Sequence, residues 1–202
     1  GNYSTALSIT ANTPSATGYS FAISNIKVYS GTSTSGTLLK TINAKTGTFT
    51  MSDVGSYYSS VYVYATWTRT PVSYTISYNL NGGSVTGNPT SYNVESATFT
   101  LKNPTKTGYN FAGWTGSNGT TPQTTVTIAK GSTGNKSYTA NWNAIGYSIT
   151  YNLNGGSVTG NPTSYTIETA TFTLKNQTKT GYNFAGWTRS NGTRETAASL
   201  PW

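Results

Sequence analysis

The sequence predicts an all-β protein, and three observations carry that expectation. Ser and Thr make up about a third of the 202 residues, with 16 Tyr, 6 Phe and 22 Gly beside them; Thr, Tyr, Phe and Val suit a pleated surface, whereas Ser, Gly and Asn suit turns. Apolar residues alternate with polar ones over short runs, and Gly, Pro and Asn break those runs every few residues. No helical period of useful length occurs, and 103–108 is the one stretch left for a short helical turn. Charged residues are only 8% of the chain and aromatics reach 13%, the reverse of a disordered composition. The length suits one to three small domains.

The chain repeats itself. Residues 78–92, YNLNGGSVTGNPTSY, recur unchanged at 151–165, and TFTLKN at 98–103 recurs at 171–176. TKTGYNFAGWT at 105–115 recurs at 178–188, and SNGT at 117–120 recurs at 190–193. Every match has the same offset of 73 residues without insertion, so the fold unit is roughly 70 residues long.

The first copy reads as a series of strands. Tyr74, Ile76, Tyr78 and Leu80 fall on one face, with Thr75, Ser77 and Asn79 on the other. Asn81-Gly82-Gly83 supplies the left-handed conformations of a tight turn, and Asn88-Pro89 marks a second break. Tyr92 and Val94, then Phe99 and Leu101, continue the alternation on either side of a kink near Glu95-Ser96. Lys102-Asn103-Pro104 and Thr107-Gly108 punctuate the chain before a strand whose one face carries Tyr109, Phe111 and Gly113 and whose other face carries Trp114. Val126 and Ile128 form a short strand, 130–135 a polar turn, and Tyr138, Ala140 and Trp142 complete the unit.

The NLNGG turn followed by the TGYxFAGW strand resembles the Listeria–Bacteroides repeat, related to the B repeat of internalin-type surface proteins; the resemblance covers 74–142 in full and 147–193 in part. It implies tandem β-grasp-like modules of a secreted or cell-surface bacterial protein that act as a spacer or adhesive fibre element. It brings no catalytic residue with it.

The expected organisation is an N-terminal β segment at 1–67, a complete repeat at 74–142 and a second repeat at 147–202 that lacks its closing strands. After Asn191-Gly192-Thr193 the counterparts of Val126 to Trp142 give way to Arg194-Glu195-Thr196-Ala197-Ala198-Ser199-Leu200-Pro201-Trp202. The N-terminal segment echoes the repeat twice: Thr17-Gly18-Tyr19-Ser20-Phe21-Ala22 matches Thr107-Gly108-Tyr109-Asn110-Phe111-Ala112, and Tyr64-Ala65-Thr66-Trp67 matches Tyr138-Thr139-Ala140-Asn141-Trp142. It is either a diverged repeat without its NLNGG hairpin or a separate small β domain. In the first case one subunit's strands can complete the deficient unit of the next, and such a head-to-tail contact builds a filament. The alternative to the filament is that the sequence is an excised or truncated piece of a longer surface protein; a start at Gly1 without a basic, apolar leader is that of a mature or excised product.

The inventory excludes several functions. Without Cys or His there is no disulfide framework, no thiolate or imidazole metal site and no Ser-His or Cys-His pair. The four acids, Asp53, Glu95, Glu168 and Glu195, are dispersed, so neither carboxylate catalysis nor a calcium site is expected, and no cofactor is implied. No run of 18 apolar residues is present, so membrane insertion is not expected. The net charge of +8 comes from scattered Lys and Arg, which argues against nucleic acid. Expected partners are neighbouring repeats or subunits of the same protein and cell-wall or host glycans, on an extracellular bacterial surface.

Candidate contact residues are aromatic. Trp114 and Trp187 are equivalent, and exposed indoles beside Asn and Thr would bind sugar rings; the alternative is that they fill small cores. Tyr57, Tyr58, Tyr62 and Tyr64 form a dense patch, and with Val61, Val63 and Ala65 the strand at 61–67 reads as apolar on both faces, a central or interface strand. Glu95 and Glu168 are equivalent acids. A buried acid of that kind would catalyse a Lys–Asn crosslink beside a desolvated Lys, but every Lys sits among turn residues, so exposed Glu side chains loosely paired with Lys are expected instead.

Overall fold

A computed structural model of the chain describes residues 5–200; the expectations placed on Gly1, Pro201 and Trp202 lie outside them. The described residues are mostly β, strands joined by turns and irregular connections with a single turn of helix, in keeping with the composition. Contacts group them into two compact units. The first holds the chain through Ile76 with Pro89–Phe99 and Ile128–Lys136, and the second holds Ser77–Asn88, Thr100–Thr127 and the chain from Ser137 onward.

The N-terminal segment contains β1 (Leu7–Thr10), β2 (Tyr19–Ser30), β3 (Leu38–Ile42), β4 (Thr46–Phe49), a one-turn helix α1 (Met51–Val54) and β5 (Val61–Pro71). β2 is the centre of a three-stranded antiparallel sheet between β3 and β5, and β1 pairs with β4. The alternating apolar residues of these strands converge on a core of Ile9, Ala11, Ile26, Val28 and Phe49, against which Val61, Ala65 and Trp67 pack. β5 is therefore an edge strand of its sheet, contrary to the central position expected from its composition. The strand that flanks its counterpart in the repeat belongs to the NLNGG hairpin, which the described N-terminal residues do not contain.

Sequence periodicity did not anticipate α1, because a single turn is too short to show a period. Its signature is local. Thr50 caps it by accepting the Asp53 amide at 3.1 Å, while the Asp53 carboxylate accepts the Thr50 amide at 2.7 Å. Gly55, at φ 69°, closes it in the left-handed conformation. Lys40 donates to the same carboxylate at 3.0 Å. These bonds, Lys40's first, hold Asp53 below the usual carboxylate range. Its contribution is present above about pH 4 and is lost as pH falls through the lowered folded value. Thr50→Ala should cost about 1 kcal/mol, read as a lower urea midpoint.

The middle repeat contains β6 (Tyr74–Asn79), β7 (Ser91–Tyr92), β8 (Phe99–Thr100), β9 (Tyr109–Gly116), β10 (Gly119–Gln123), β11 (Thr127–Ile128) and β12 (Lys136–Ala144). In the first unit β6 pairs with β7 through Tyr74 and Tyr92, and Thr75 donates its amide to Asn135 Oδ1. In the second unit β9 lies between β10 and β12, both antiparallel to it. There Tyr78 stacks on Tyr138 with ring centres 6.2 Å apart, and Trp142 Nε1 donates to the Leu80 carbonyl at 3.0 Å. The partners 75 with 135, 78 with 138 and 80 with 142 rise together, so β6 and β12 run parallel. No helix forms at 103–108. Thr105 instead exchanges both backbone hydrogen bonds with Ser84, and the chain turns tightly from Lys106 to Tyr109.

The last repeat contains β13 (Tyr147–Ser148), β14 (Ser164–Tyr165), β15 (Phe172–Thr173), β16 (Trp187–Thr188), β17 (Arg194–Glu195) and β18 (Ser199–Leu200). β18 pairs with β15, the counterpart of β8, so Ala198-Ser199-Leu200 occupies the place of Val126-Thr127-Ile128. Ala198 and Leu200 are buried with Leu174 and Trp187. The expected loss of closing strands is thus narrower than the sequence suggested, because alternation survives the change of residues. Only β12 lacks a counterpart among the described residues. Without it the ladder shrinks: β9 spans eight residues, but its counterpart is strand only at Trp187–Thr188.

Candidate functional site: repeat joints and an open strand groove

The Thr-Gly-Tyr turns make joints. In the first unit Tyr19 OH donates to Glu95 Oε1 at 2.9 Å, and the Val72 amide donates to the Gly18 carbonyl at 2.9 Å. In the second unit Tyr109 OH donates to Glu168 Oε1 at 3.0 Å, and the Ile145 amide donates to the Gly108 carbonyl at 2.9 Å. Both glycines sit at φ 79°, and a Cβ there would overlap the side chain of Val94 at the first joint and Ile167 at the second. A cation covers each Tyr ring, Arg69 at 4.3 Å from the centre of Tyr19 and Lys106 at 4.1 Å from Tyr109.

Sequence reasoning assigned Glu95 and Glu168 to loose pairing with Lys. Their partner is instead a Tyr hydroxyl from the preceding segment. The available signal was that a chain with four acids keeps one at the same place in each repeat. The third Tyr of the series, Tyr182, carries Lys179 on its ring at 4.4 Å but is 70% exposed, and a Cβ on Gly181 would meet open space.

The bond to the carboxylate raises the Tyr19 and Tyr109 hydroxyls above their ordinary pKa, with burial and the negative charge adding to it. A raised folded pKa gives stability that is complete below about pH 10 and lost as pH rises through the folded value. Tyr109→Phe and Glu168→Gln should each weaken the second joint, and the double variant should be no weaker than either single one. A double-mutant cycle at pH 7 checks this, and strictly additive losses would contradict it.

The aromatic candidates fall into two groups. Trp114 is fully buried and Trp187 is 9% exposed, so neither indole offers a face to a sugar, and the glycan platform expected of them fails. A β-bulge reverses the expected alternation: β12 pairs Asn141 with Gly113 and Trp142 with Phe111, leaving Ala112 unmatched. Trp114 thereby turns to the side of Phe111, with ring centres 5.4 Å apart. Tyr57 and Tyr64 are 66% and 48% exposed, Tyr58 and Tyr62 are half-buried, and Tyr62 stacks on Tyr64 with ring centres 6.4 Å apart. The second sequence echo also shifts. Arg69, not Trp67, stands opposite Phe21 as Trp142 stands opposite Phe111, while Trp67 faces the core.

A groove of about 700 Å³ lies in the last repeat, lined by Ile149, Tyr151, Leu174, Trp187, Arg189 and Leu200. A hollow of about 180 Å³ is lined by Leu153, Gln177, Phe184 and Gly186. Tyr151, Leu153, Phe184 and Trp187 are the counterparts of Tyr78, Leu80, Phe111 and Trp114, which contact β12 at Tyr138 and Trp142 in the middle repeat. Among the described residues no cluster of acidic side chains is placed to hold a metal ion, and no helix is long and apolar enough to cross a membrane.

The profile of the Listeria–Bacteroides repeat domain matches residues 74–141 and 147–200. The chain belongs to the Listeria–Bacteroides repeat family. The two matched stretches are the tandem copies, and the N-terminal segment precedes them. No curated protein and no solved structure matches the chain. A Listeria–Bacteroides repeat is a bacterial surface-type module, and its strand pairing has a parallel in the N-terminal segment. There β1 and β4 pair as β8 and β11 do, and β2 lies between β3 and β5 as β9 lies between β10 and β12.

Proposed function

We propose that the chain is a non-catalytic, load-bearing spacer of a bacterial cell-surface protein, built from tandem β-grasp-like repeats. The observation that carries this reading is the parallel course of β6 and β12, the first and last strands of the middle repeat. Tension applied through the chain loads all the hydrogen bonds between two parallel terminal strands at once, in shear, instead of opening them one by one. The Tyr–Glu joints support the same role, because they fix short connections between successive segments. Each of the four acids is engaged in such contacts, Asp53 with Lys40, Glu95 with Tyr19, Glu168 with Tyr109 and Glu195 with Arg189, and none is left paired for acid–base chemistry.

Single-molecule pulling between the chain ends tests the reading. The middle repeat should yield as the highest-force event and release about 240 Å of chain, as a unit of roughly 70 residues does. The last repeat, with no counterpart of β12 among its described residues, should yield at lower force. Extension without a distinct high-force event would refute the load-bearing role.

A further inference from the structure

The outer face of the N-terminal sheet differs from its counterpart in the middle repeat. In β2, Ile26 and Val28 belong to the core, so alternation puts Asn25, Lys27 and Tyr29 on the opposite face. β5 places Thr66, Tyr64 and Tyr62 directly across from them, and β3 places Thr41 and Leu38 across from Lys27 and Tyr29. Tyr64 and Leu38 are 48% and 47% exposed. Thr41 and Thr66 are also exposed, and Lys27, Tyr29 and Tyr62 are half-buried.

In the middle repeat the same sheet face, on β9 and β12, carries Thr115 across from Thr139 and Asn110 across from Asn143. Asn141 turns its side-chain amide back onto the Gly113 carbonyl and the Thr115 hydroxyl, both at 3.0 Å. That face is small and polar, and Asn110 and Asn143 are exposed on it. The sheet therefore needs no aromatic side chains there, and the face stays open in a repeat whose strands are complete. The tyrosines of the N-terminal segment are an addition to the scaffold.

Their surroundings select a ligand. Tyr62 and Tyr64 have ring centres 6.4 Å apart and planes within 21° of each other, so they present successive rings along β5. Sugar rings pack their apolar faces on such side chains while their hydroxyls meet hydroxyl groups like those of Thr41 and Thr66. An open sheet face suits an extended polymer better than a small molecule. Lys27 stands between Tyr64 and Thr41 in the register and forms no ion pair: the two acids of this unit, Asp53 and Glu95, are taken by Lys40 and Tyr19. A lone ammonium complements an acidic substituent on a glycan, whereas nucleic acid draws its affinity from several phosphate contacts at once.

We propose that this face binds an acidic glycan, with sugar rings on Tyr62 and Tyr64 and an anionic group on Lys27 Nζ. The inference does not depend on the load-bearing role.

The test titrates hexasaccharides of galacturonate, heparin and neutral cellulose into the full chain, followed by amide chemical shifts. Saturable binding of an acidic oligomer is expected, with shifts centred on 25–29 and 62–66. Binding of galacturonate assigns a carboxylate as the anionic group, and binding of heparin alone assigns a sulfate. Tyr64→Ser should weaken binding about tenfold, the effect of losing one aromatic contact with its buried area. Lys27→Gln should reduce the acidic oligomer to the affinity of the neutral one. Both side chains lie outside the core, so the circular dichroism spectrum should not change in either variant. No saturation by either acidic oligomer at millimolar concentration would overturn the proposal. So would shifts confined to other strands, an affinity unchanged by Lys27→Gln, or tighter binding of an oligothymidylate through the same residues.

Discussion

Trp114→Ala is expected to lower the stability of the chain by about 3–5 kcal/mol, the range for removing a large aromatic from a closed core. The indole is fully buried, and its ring lies 5.9 Å from Tyr78, 5.4 Å from Phe111 and 6.4 Å from Tyr138. Truncation leaves a cavity lined by three rings that cannot close up, and it strands the Asn103 carbonyl that accepts from Nε1 at 3.2 Å. Trp187→Ala should cost less. The aromatic rings it meets are two, Tyr151 and Phe184 at 5.7 and 5.4 Å, where Trp114 meets three; its Nε1 has no partner, and a groove already opens beside it. Urea denaturation of the two variants, compared by midpoint and slope, checks the order. Equal losses would mean that β12 does not enclose Trp114 as described.

Gly113→Ala is the second large effect. Gly113 sits at φ 130°, a conformation that L side chains rarely adopt, and a Cβ would stand 2.5 Å from the Gln123 amide nitrogen and 2.8 Å from the Pro122 carbonyl carbon. Those atoms are backbone and cannot rotate away. The strained conformation costs about 1–3 kcal/mol, and the overlap adds a similar amount. Gly119→Ala isolates the first part, because Gly119 has φ 112° with nothing within 4 Å of an added Cβ. The Gly113 variant should therefore lose about twice as much stability as the Gly119 variant. Loss of the β9–β10 ladder, followed by amide exchange at 119–123, should accompany only the former.

Legibility in the sequence followed the range of the interaction. The alternation at 74–80 and the turn at 81–83 were readable, since each depends on neighbours in the chain: Ile76 is buried between exposed Thr75 and Ser77, and Asn81 and Gly82 adopt φ 47° and 83°. The side of β9 that carries Trp114 was not readable, because the bulge that sets it is a property of pairing with β12, some 28 residues away in the chain. The Tyr–Glu joints were hidden for the same reason, with 76 and 59 residues between partners. The groove is legible only by comparing two folded copies, since it lies beside Tyr151 and Asn154, whose counterparts Tyr78 and Asn81 contact β12 at Tyr138 and Ala140.

The joints have a consequence for the medium in which such a chain works. The bond from phenol to carboxylate is a dipole against a charge, and the cation over each Tyr ring is the part of the joint that dissolved ions screen. Lysine–carboxylate latches at the same positions would loosen with ionic strength, as the screening length shrinks from about 10 Å at 0.1 M to about 3 Å at 1 M. The Tyr109–Glu168 bond, at 3.0 Å, does not rest on a pair of opposite full charges and so depends less on that screening. Segments fastened in this way keep their connections from dilute to strongly saline surroundings.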